Sequence, residues 1–187
     1  RAVFIQGNLE DERTFEKAIS IAQQEGVCSI GDTKVFDTVS MQLAMHYLMS
    51  SEEAAQQLLA RVSNILKPGG NFIGTIPCSE SISNGLKHTS VSSEGAAKFG
   101  NNLYNVTFEP EELAKLSRVP AEGEASDESG PSSIFVDRKK CSSTWGVVYR
   151  FWLMDSIDNQ AEYLVPFKSF DAAARRSNLK CVLHGMV

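Results

Sequence analysis

Residues Phe36 to Tyr47 read FDTVSMQLAMHY, and this stretch decides how the rest of the chain is interpreted. Its first half is apolar and partly β-branched, which is typical of a short buried strand. Its second half brings the side chains of Gln42, His46 and Tyr47 together within six residues, shortly before a helix start at Ser51. Because ligands of open α/β sheets bind beyond the carboxyl ends of the strands, the stretch predicts a binding edge.

Strand and helix patterns alternate on both sides of this stretch, which is typical of a parallel α/β sheet. The helix that follows it has the strongest signals, since Ser51 is a good N-cap and Glu53 adds an acid to the first turn. The predicted elements are a strand over 2–5, a helix over 10–24 that ends at Gly26, a strand over 36–41, a helix over 51–66 with an apolar stripe of Ala54, Leu58, Val62, Ile65 and Leu66 and an end at Pro68-Gly69-Gly70, and a strand over 71–76.

The alternation stops after Pro77. A Ser- and Gly-rich segment over 79–95 predicts a loop, and the acidic segment over 120–133 has no large apolar side chain and predicts disorder. The remaining predicted elements are a compact aromatic segment over 99–108, a short helix over 109–116, a strand over 145–153, an extended segment that becomes a helix over 163–176, and a last strand over 179–183.

Composition excludes several classes of protein. The 187 residues carry a formal net charge of -5, so RNA would need a local basic patch such as Arg138-Lys139-Lys140 or Arg175-Arg176. The four cysteines are scattered and form no CxxC pair, which argues against a zinc site or a disulfide framework and favours a reducing compartment over secretion. No apolar run approaches the ~20 residues of a membrane span, so no membrane partner is expected.

Four motifs follow one another along the chain: QLAMHY from Gln42, FIGTIP from Phe72, FGNNLYNVTF from Phe99 and AEYLV from Ala161. They resemble the QFxxHY, FIGTTP, FGNxxYxVxF and PEFLV segments of messenger RNA cap guanine-N7 methyltransferases. The segments FDTVS and LKPGG resemble parts that many class I, S-adenosylmethionine-dependent methyltransferases share. The resemblance covers nearly the whole chain apart from the acidic insert, and it corresponds to the second half of such an enzyme.

The resemblance implies an α/β fold with the partial, Rossmann-like sheet of a class I methyltransferase and a loop-rich insertion between its fifth and sixth strands. It implies one methyltransferase domain over 1–187, incomplete at its N-terminus, with flexible insertions over 79–98 and 119–134. The implied reaction transfers a methyl group from S-adenosyl-L-methionine to N7 of the guanine cap of messenger RNA, in the nucleus or otherwise in the cytoplasm. The implied partners are the capped 5′ end of RNA (GpppN) and a capping guanylyltransferase or triphosphatase.

The chain also departs from the family pattern. No segment of it replaces the glycine-rich DxGCGxGGD loop or the acidic residue that holds the cofactor ribose. Since the sequence also begins with Arg1, we expect a piece of a longer protein. The predicted strand over 2–5 would lack its usual neighbour, so we expect either that the fragment hides this strand by self-association or that the real polypeptide extends beyond these 187 residues. At single positions, Asn8 replaces a usual Asp, Leu43 a usual Phe and Ala161 a usual Pro.

The resemblance assigns the cofactor to the predicted strand ends. Asn8 lies where the family has its adenine-binding Asp, and an amide still offers adenine both a donor and an acceptor. Gln42, Leu43 and Tyr47 lie where the family lines the methionine part of the cofactor and the methyl-transfer gap. From the residues alone, Asn8 is equally well a turn residue, and Tyr47 is a core aromatic with its hydroxyl outward.

The resemblance assigns five residues to the guanine. His46 is implied to donate to O6 and Glu162 to accept from N1–H and N2–H, which selects guanine because adenine would leave buried polar groups unpaired. Pro77, Tyr104 and Tyr47 are implied to wall the pocket. From the residues alone, the alternatives are a satisfied structural histidine for His46, a solvated surface acid for Glu162, a loop proline for Pro77 and a core tyrosine for Tyr104. No catalytic acid, base or metal is expected, because N7 has a free lone pair and alignment of two reactants carries the rate.

Two other functions fit the same residues. An S-adenosylmethionine-dependent enzyme acting on a small molecule would share the class I segments. A non-catalytic, structural or regulatory methyltransferase-like fragment would share the fold and lack the cofactor site.

Overall fold

The computed structural model describes residues 4–9, 11–29, 31–87, 89–117, 137–182 and 185. The predicted disordered insert over 119–134 lies outside these residues. Within the described ranges the chain forms six α-helices, six strands and one short 3₁₀ helix. In chain order they are α1 (Glu12–Gln24), β1 (Phe36–Gln42), the 3₁₀ helix (Met45–Leu48), α2 (Glu52–Ile65), β2 (Leu66–Thr75), α3 (Ser79–Lys87), β3 (Ala97–Gly100), β4 (Tyr104–Phe108), α4 (Pro110–Leu116), α5 (Arg138–Ser143), β5 (Val148–Leu153), β6 (Ile157–Tyr163) and α6 (Phe167–Arg176).

Strands β1 and β2 form a parallel pair joined through helix α2. Val39 and Met41 alternate with polar residues along β1, and they pack in one apolar core with Leu58 of α2. The register places Gln42 opposite Thr75, so the carboxyl ends of both strands meet at one edge. This confirms the mixed α/β fold and the strand–helix–strand unit that the sequence predicts.

Helix α2 begins where the sequence predicts and ends one residue earlier. The hydroxyl of Ser51 accepts a hydrogen bond from the backbone N–H of Ala54 at 3.2 Å, which caps the first turn. Leu66 is already extended and opens β2. The predicted apolar stripe was only partly right, because α2 is buried on two sides, with Leu59 packed against Ala173 and Ala174 of α6. The buried residues of α2 are Ala55, Leu58, Leu59 and Val62.

The second half of the chain forms an antiparallel sheet with the strand order β3-β4-β5-β6. The sequence does not predict β6, because its residues IDNQAEY include few β-formers. The strand predicted over 145–153 corresponds to β5 alone. The β3–β4 turn depends on Gly100, whose φ is 136° and whose Cβ position lies against the carbonyl oxygen of Tyr104. Apart from the first two residues of β3, this sheet lies outside the insertions predicted over 79–98 and 119–134, and it pairs strands that are far apart in sequence.

This antiparallel sheet has two different faces. The inner face packs against α3, α4 and α5 and carries Phe108 and Tyr149, whose ring centroids are 5.6 Å apart. Because side chains alternate along a strand, the neighbouring positions Thr107 and Arg150 lie on the outer face. Edge strand β6 contacts the 3₁₀ helix, so the inner core meets the parallel pair at this place.

Three predicted elements are wrong in the described residues. Phe4 and Ile5 lie outside any strand, and Phe4 is 94% exposed, while Ala2 and Val3 of the same predicted strand are outside the described residues. Residues 179–182 form no strand either, since no neighbouring strand pairs with them there. The loop predicted over 79–95 contains helix α3, because Ile82 and Leu86 share one face and are buried in the inner core.

Within the described residues, no helix has both the length and the apolar character needed to cross a membrane.

Candidate functional site

The buried carboxylate of Glu162 is the centre of the candidate site. It projects from β6, is 3% exposed, and accepts hydrogen bonds from two tyrosine hydroxyls. The Tyr47 hydroxyl donates to Oε1 at 3.0 Å, and the Tyr149 hydroxyl donates to Oε2 at 2.7 Å. Nε2 of His46 lies 3.4 Å from Oε1, at ion-pair distance but without hydrogen-bond geometry. We call these four residues the Glu162 cluster.

The two sheets contribute one half of this cluster each. His46 and Tyr47 follow β1 in the 3₁₀ helix, with ring centroids 4.3 Å apart. Tyr149 and Glu162 stand opposite each other on β5 and β6, so both project from the inner face. The bond from Tyr47 to Glu162 joins residues 115 positions apart in the chain. The cluster therefore forms only where the two halves of the fold meet.

The pKa of the Glu162 carboxyl follows from these contacts. Burial acts to raise it, but the interaction with His46, the bond from Tyr149 and the bond from Tyr47 together bring the pKa below its ordinary value of 4.5. The pKa values of Tyr47 and Tyr149 are raised, first by burial and then by Glu162. At neutral pH the cluster therefore holds one carboxylate and two neutral hydroxyls.

His46 has unused hydrogen-bonding capacity. It is 2% exposed, and neither ring nitrogen has a hydrogen-bond partner among the described residues. Burying polar nitrogens without hydrogen bonds costs free energy, so a hydrogen bond to either nitrogen would lower the cost of burying His46. Beside it, a cleft of about 470 Å³ opens at Tyr47 and is lined by Ser156, Ile157, Asp158 and Gln160. Tyr47 is the member of the Glu162 cluster that lines this cleft.

A second group of predicted residues lies at the strand edge. The side-chain amide of Gln42 accepts from the Thr75 hydroxyl at 3.0 Å and donates to the Ser40 hydroxyl at 3.0 Å. Leu43 has a φ of 50° and is 65% exposed, and its N–H donates to the Thr75 carbonyl at 3.0 Å. A leucine in the left-handed region is strained, and such strain concentrates at ligand sites. Gln42 keeps one amide hydrogen and one lone pair for a ligand.

The matches to known proteins agree with this geometry. Residues 10–127 match the family model described as the mRNA (guanine-N(7))-methyltransferase domain. The chain belongs to this family. Among its relatives, the mRNA cap guanine-N(7) methyltransferase of Candida albicans is 37% identical over 145 residues, which are 76% of this chain and 26% of that protein. The Schizosaccharomyces pombe protein of the same name is 35% identical over 151 residues, 81% of this chain and 34% of that protein. The Saccharomyces cerevisiae protein of that name is 34% identical over 146 residues, 78% of this chain and 28% of that protein.

This chain of the mRNA (guanine-N(7))-methyltransferase family spans about a third or less of the length of those three relatives. The resemblance that the sequence motifs indicate is confirmed. The positions and roles of individual site residues stay predictions, and the structure adds where each of them lies.

The structure brings His46, Tyr47 and Glu162 into one cluster. Pro77 is half-buried and follows the end of β2. Tyr104 lies on β4, two strands and four residues from Glu162, which corresponds to about 16 Å. Asn8 lies in the exposed turn before α1, where its carbonyl oxygen accepts from the Thr14 hydroxyl at 2.6 Å.

Sequence reasoning missed Tyr149. Its position in VVYRFWL is typical of any core aromatic, and only the pairing of β5 with β6 places its hydroxyl on Glu162. The signal that was available is the alternation of Tyr149 with exposed Arg150, which indicates an inward side chain. The Tyr149 hydroxyl therefore helps to fix the orientation of the buried Glu162 carboxylate.

We expect Tyr149→Phe to weaken the cluster without removing it. Loss of a hydrogen bond to a charged, buried oxygen should lower the free energy of unfolding by about 2 kcal/mol. The pKa of Glu162 should also rise, since one of the bonds that lowers it is gone. Urea unfolding measures the first effect, with Tyr163→Phe as the matched control on β6. Equal stability of the two variants would contradict this role.

Stability should also depend on pH through Glu162. Because its pKa in the folded protein lies below the ordinary 4.5, the carboxylate contributes stability above about pH 4.5, and this contribution is lost as the pH falls through the folded-state value. We expect Glu162→Gln to lack this component. The measurement is the free energy of unfolding at about pH 7 and about pH 3.5 for both proteins. Parallel pH profiles would contradict the depressed pKa.

Proposed function

We propose that the Glu162 cluster binds the guanine of a messenger RNA cap, and that the protein methylates N7 of that guanine with S-adenosyl-L-methionine as donor. The observation that carries the proposal is a buried carboxylate that two tyrosines orient beside a buried histidine whose ring nitrogens make no hydrogen bond to the described residues. Membership of the mRNA (guanine-N(7))-methyltransferase family supports the reaction.

The hydrogen-bonding pattern of the cluster suits guanine. Each oxygen of Glu162 accepts one tyrosine hydroxyl and keeps further lone-pair capacity, which suits the adjacent N1–H and N2–H of guanine. A ring N–H of His46 is available for O6. Adenine offers no donor at N1 and no oxygen at position 6, so it would leave Glu162 and His46 unpaired in a buried site. The resulting selectivity is of the kind that reaches 10⁴-fold or more in enzymes that read hydrogen bonds.

The strand edge fits the cofactor. Gln42, Leu43 and Tyr47 surround the carboxyl end of β1, and an amide with spare donor and acceptor capacity suits the amino-acid part of S-adenosylmethionine. Asn8 is the proposed partner of adenine. When bound, S-adenosylmethionine supplies an activated methyl group on its sulfonium. Tyr47 belongs to the Glu162 cluster and follows Leu43 by four residues, so the proposal assigns it to the gap between the two ligands.

The chain's own contribution to the reaction is alignment. Guanine N7 carries a free lone pair at neutral pH, so no side chain has to remove a proton. The Glu162 cluster fixes the plane of the base, and the ends of β1 and β2 fix the direction of approach. Holding two reactants in line lowers the barrier by several kcal/mol, up to about 7–11 in ideal cases. Burial of the cluster also keeps water from competing for these hydrogen bonds.

The proposal also covers the walls of the base pocket, the location of the protein and its partners. Pro77 and Tyr104 wall the base or the nucleotide that follows it. The protein works in the nucleus, next to a capping guanylyltransferase or triphosphatase. Copies of the chain associate, which the exposed apolar side chain of Ile73 on β2 supports, and sedimentation equilibrium tests this point directly.

The test is calorimetric titration of the chain with S-adenosylhomocysteine, GpppG and ApppA. Binding of the first two and weak or no binding of ApppA would support the proposal. Binding of GpppG alone would support the guanine site and contradict the cofactor edge. Equal binding of ApppA would contradict the role of Glu162 and His46. Binding of none by the folded protein would favour a structural or regulatory role.

A further inference from the structure

The outer face of the antiparallel sheet has a composition unlike the rest of the chain. Lys98, Thr107 and Arg150 stand opposite one another across β3, β4 and β5. Asn105 and Trp152 form the next row on the same face. Strands β3, β4 and β5 contain no acidic residue at all, although the whole chain has a net charge of -5.

This face is open within the part of the chain that the structure describes. The side chains of Lys98 and Arg150 are exposed and make no ion pair or hydrogen bond there. Val148 and Trp152 are half-buried and belong to none of the apolar cores formed by described residues. Exposed cations next to an aromatic ring are the combination that single-stranded nucleic acids bind, through phosphates and stacked bases.

The outer face continues directly from the guanine site. Glu162 projects inward from β6, and the residue before it, Ala161, stands opposite Arg150 on the outer face. Neighbouring strands are about 5 Å apart, so Arg150 is one strand away from the free edge of β6. The hairpin that lines the cleft beside Tyr47 carries Trp152 on its other side. A chain leaving the cleft around this edge meets Arg150 and Trp152 first.

Charge separates the two faces. Asp158 lines the cleft, and Glu162 lies behind Tyr47, which also lines it; these two acids suit a neutral base and repel phosphate. The outer face carries Lys98 and Arg150, which suit phosphate. A ligand with a neutral head and a polyanionic tail matches this arrangement, and capped RNA is such a ligand.

We propose that the outer face formed by Lys98, Thr107, Arg150, Asn105 and Trp152 binds the first nucleotides of the RNA chain behind the cap. Lys98 and Arg150 contact phosphates, and Trp152 stacks on a base. The inference rests on the guanine site proposed above for the position of the cap. It adds a surface for the transcript itself that is separate from the residues that hold the cap and the cofactor.

The experiment compares the binding of GpppG and of a capped, unstructured RNA of about twelve nucleotides, each over a series of salt concentrations. The full chain should bind the RNA more tightly than GpppG. In the double variant Lys98→Ala with Arg150→Ala, GpppG binding should stay unchanged. For the RNA, the slope of log K against log salt should become shallower by about 1.4, which is the loss of two phosphate contacts to a single strand.

The control with the same charge change is Lys17→Ala with Lys168→Ala, two exposed lysines on α1 and α6. This variant should keep the RNA affinity and the slope. Arg150→Lys keeps the charge and should keep most of the slope. Trp152→Ala should weaken the binding of RNA roughly 5- to 150-fold, which is the range for loss of one stacked base. The affinity for GpppG should not change.

Three results would overturn the proposal. The first is equal binding of RNA and GpppG by the full chain. The second is an unchanged salt slope in the Lys98→Ala, Arg150→Ala variant. The third is a loss of RNA affinity in the Lys17→Ala, Lys168→Ala control as large as that in the Lys98→Ala, Arg150→Ala variant. A decaglutamate peptide that binds through Lys98 and Arg150, with no effect of Trp152→Ala on RNA, would assign the face to an acidic protein segment instead. If the RNA binds through this face and GpppG does not bind at all, the guanine site fails and the surface stands.

Discussion

Replacing Glu162 with glutamine should weaken the binding of GpppG about a hundredfold or more. Glutamine keeps the shape of the side chain but presents an amide NH₂ where guanine needs an acceptor for N1–H or N2–H. Bonds to a charged acceptor are worth about 1.5–3 kcal/mol each, so the loss of one or two such bonds gives a change of this size. The measurement is calorimetric titration of both proteins with GpppG at neutral pH. In a catalytically active form of the protein, the same substitution should lower kcat/KM for the cap.

The matched control is Glu111→Gln on the exposed side of α4, which removes one negative charge away from the cluster. It should bind GpppG as the unchanged chain does. S-adenosylhomocysteine should bind Glu162→Gln normally, because the cofactor edge lies on β1 and β2. Near-normal GpppG binding by Glu162→Gln would contradict the assignment of this carboxylate to guanine.

Replacing Phe108 with alanine should lower the free energy of unfolding by about 3–5 kcal/mol, the range for a large aromatic removed from a core. Phe108 is completely buried and packs against the ring of Tyr149 at a centroid distance of 5.6 Å. The cavity would also free Tyr149 to move away from Glu162, so GpppG should bind more weakly even under conditions where the variant is folded. Chemical denaturation followed by circular dichroism measures the first effect.

Phe4→Ala is the control for this change, since Phe4 is 94% exposed. It should alter the free energy of unfolding by less than about 0.5 kcal/mol. A cost below about 1 kcal/mol for Phe108→Ala would mean that the inner core relaxes around the missing ring.

The sequence predicts local structure well where one segment carries the whole signal. Ser51 caps α2 as expected, and Gly26 follows α1 with a φ of 69° while its N–H donates to the Gln23 carbonyl. Both features depend on residues within one or two turns. The strand over 2–5 and the strand over 179–183 looked equally good in composition. Strands need a neighbour to pair with, and composition does not report whether a neighbour is present.

The site was predicted through motifs rather than through physics. His46 lies in the binding edge that the local pattern predicts and Glu162 is an ordinary acid in the sequence, and only the resemblance to the family assigns these two residues to guanine. Tyr149 escaped because its role depends on the register between β5 and β6, which no local pattern specifies. The outer face escaped for the same reason, since Lys98 and Arg150 become neighbours only when β4 is placed between them.

The bond from Tyr47 to Glu162 ties together two parts of the protein that otherwise have separate apolar cores. A ligand held by this cluster would contact both halves of the protein at once and so link them. Its binding would raise the melting temperature of both halves together and make them unfold as one unit. Conversely, any partner or modification that shifts one half against the other would switch off recognition of the cap without touching a single residue that contacts it.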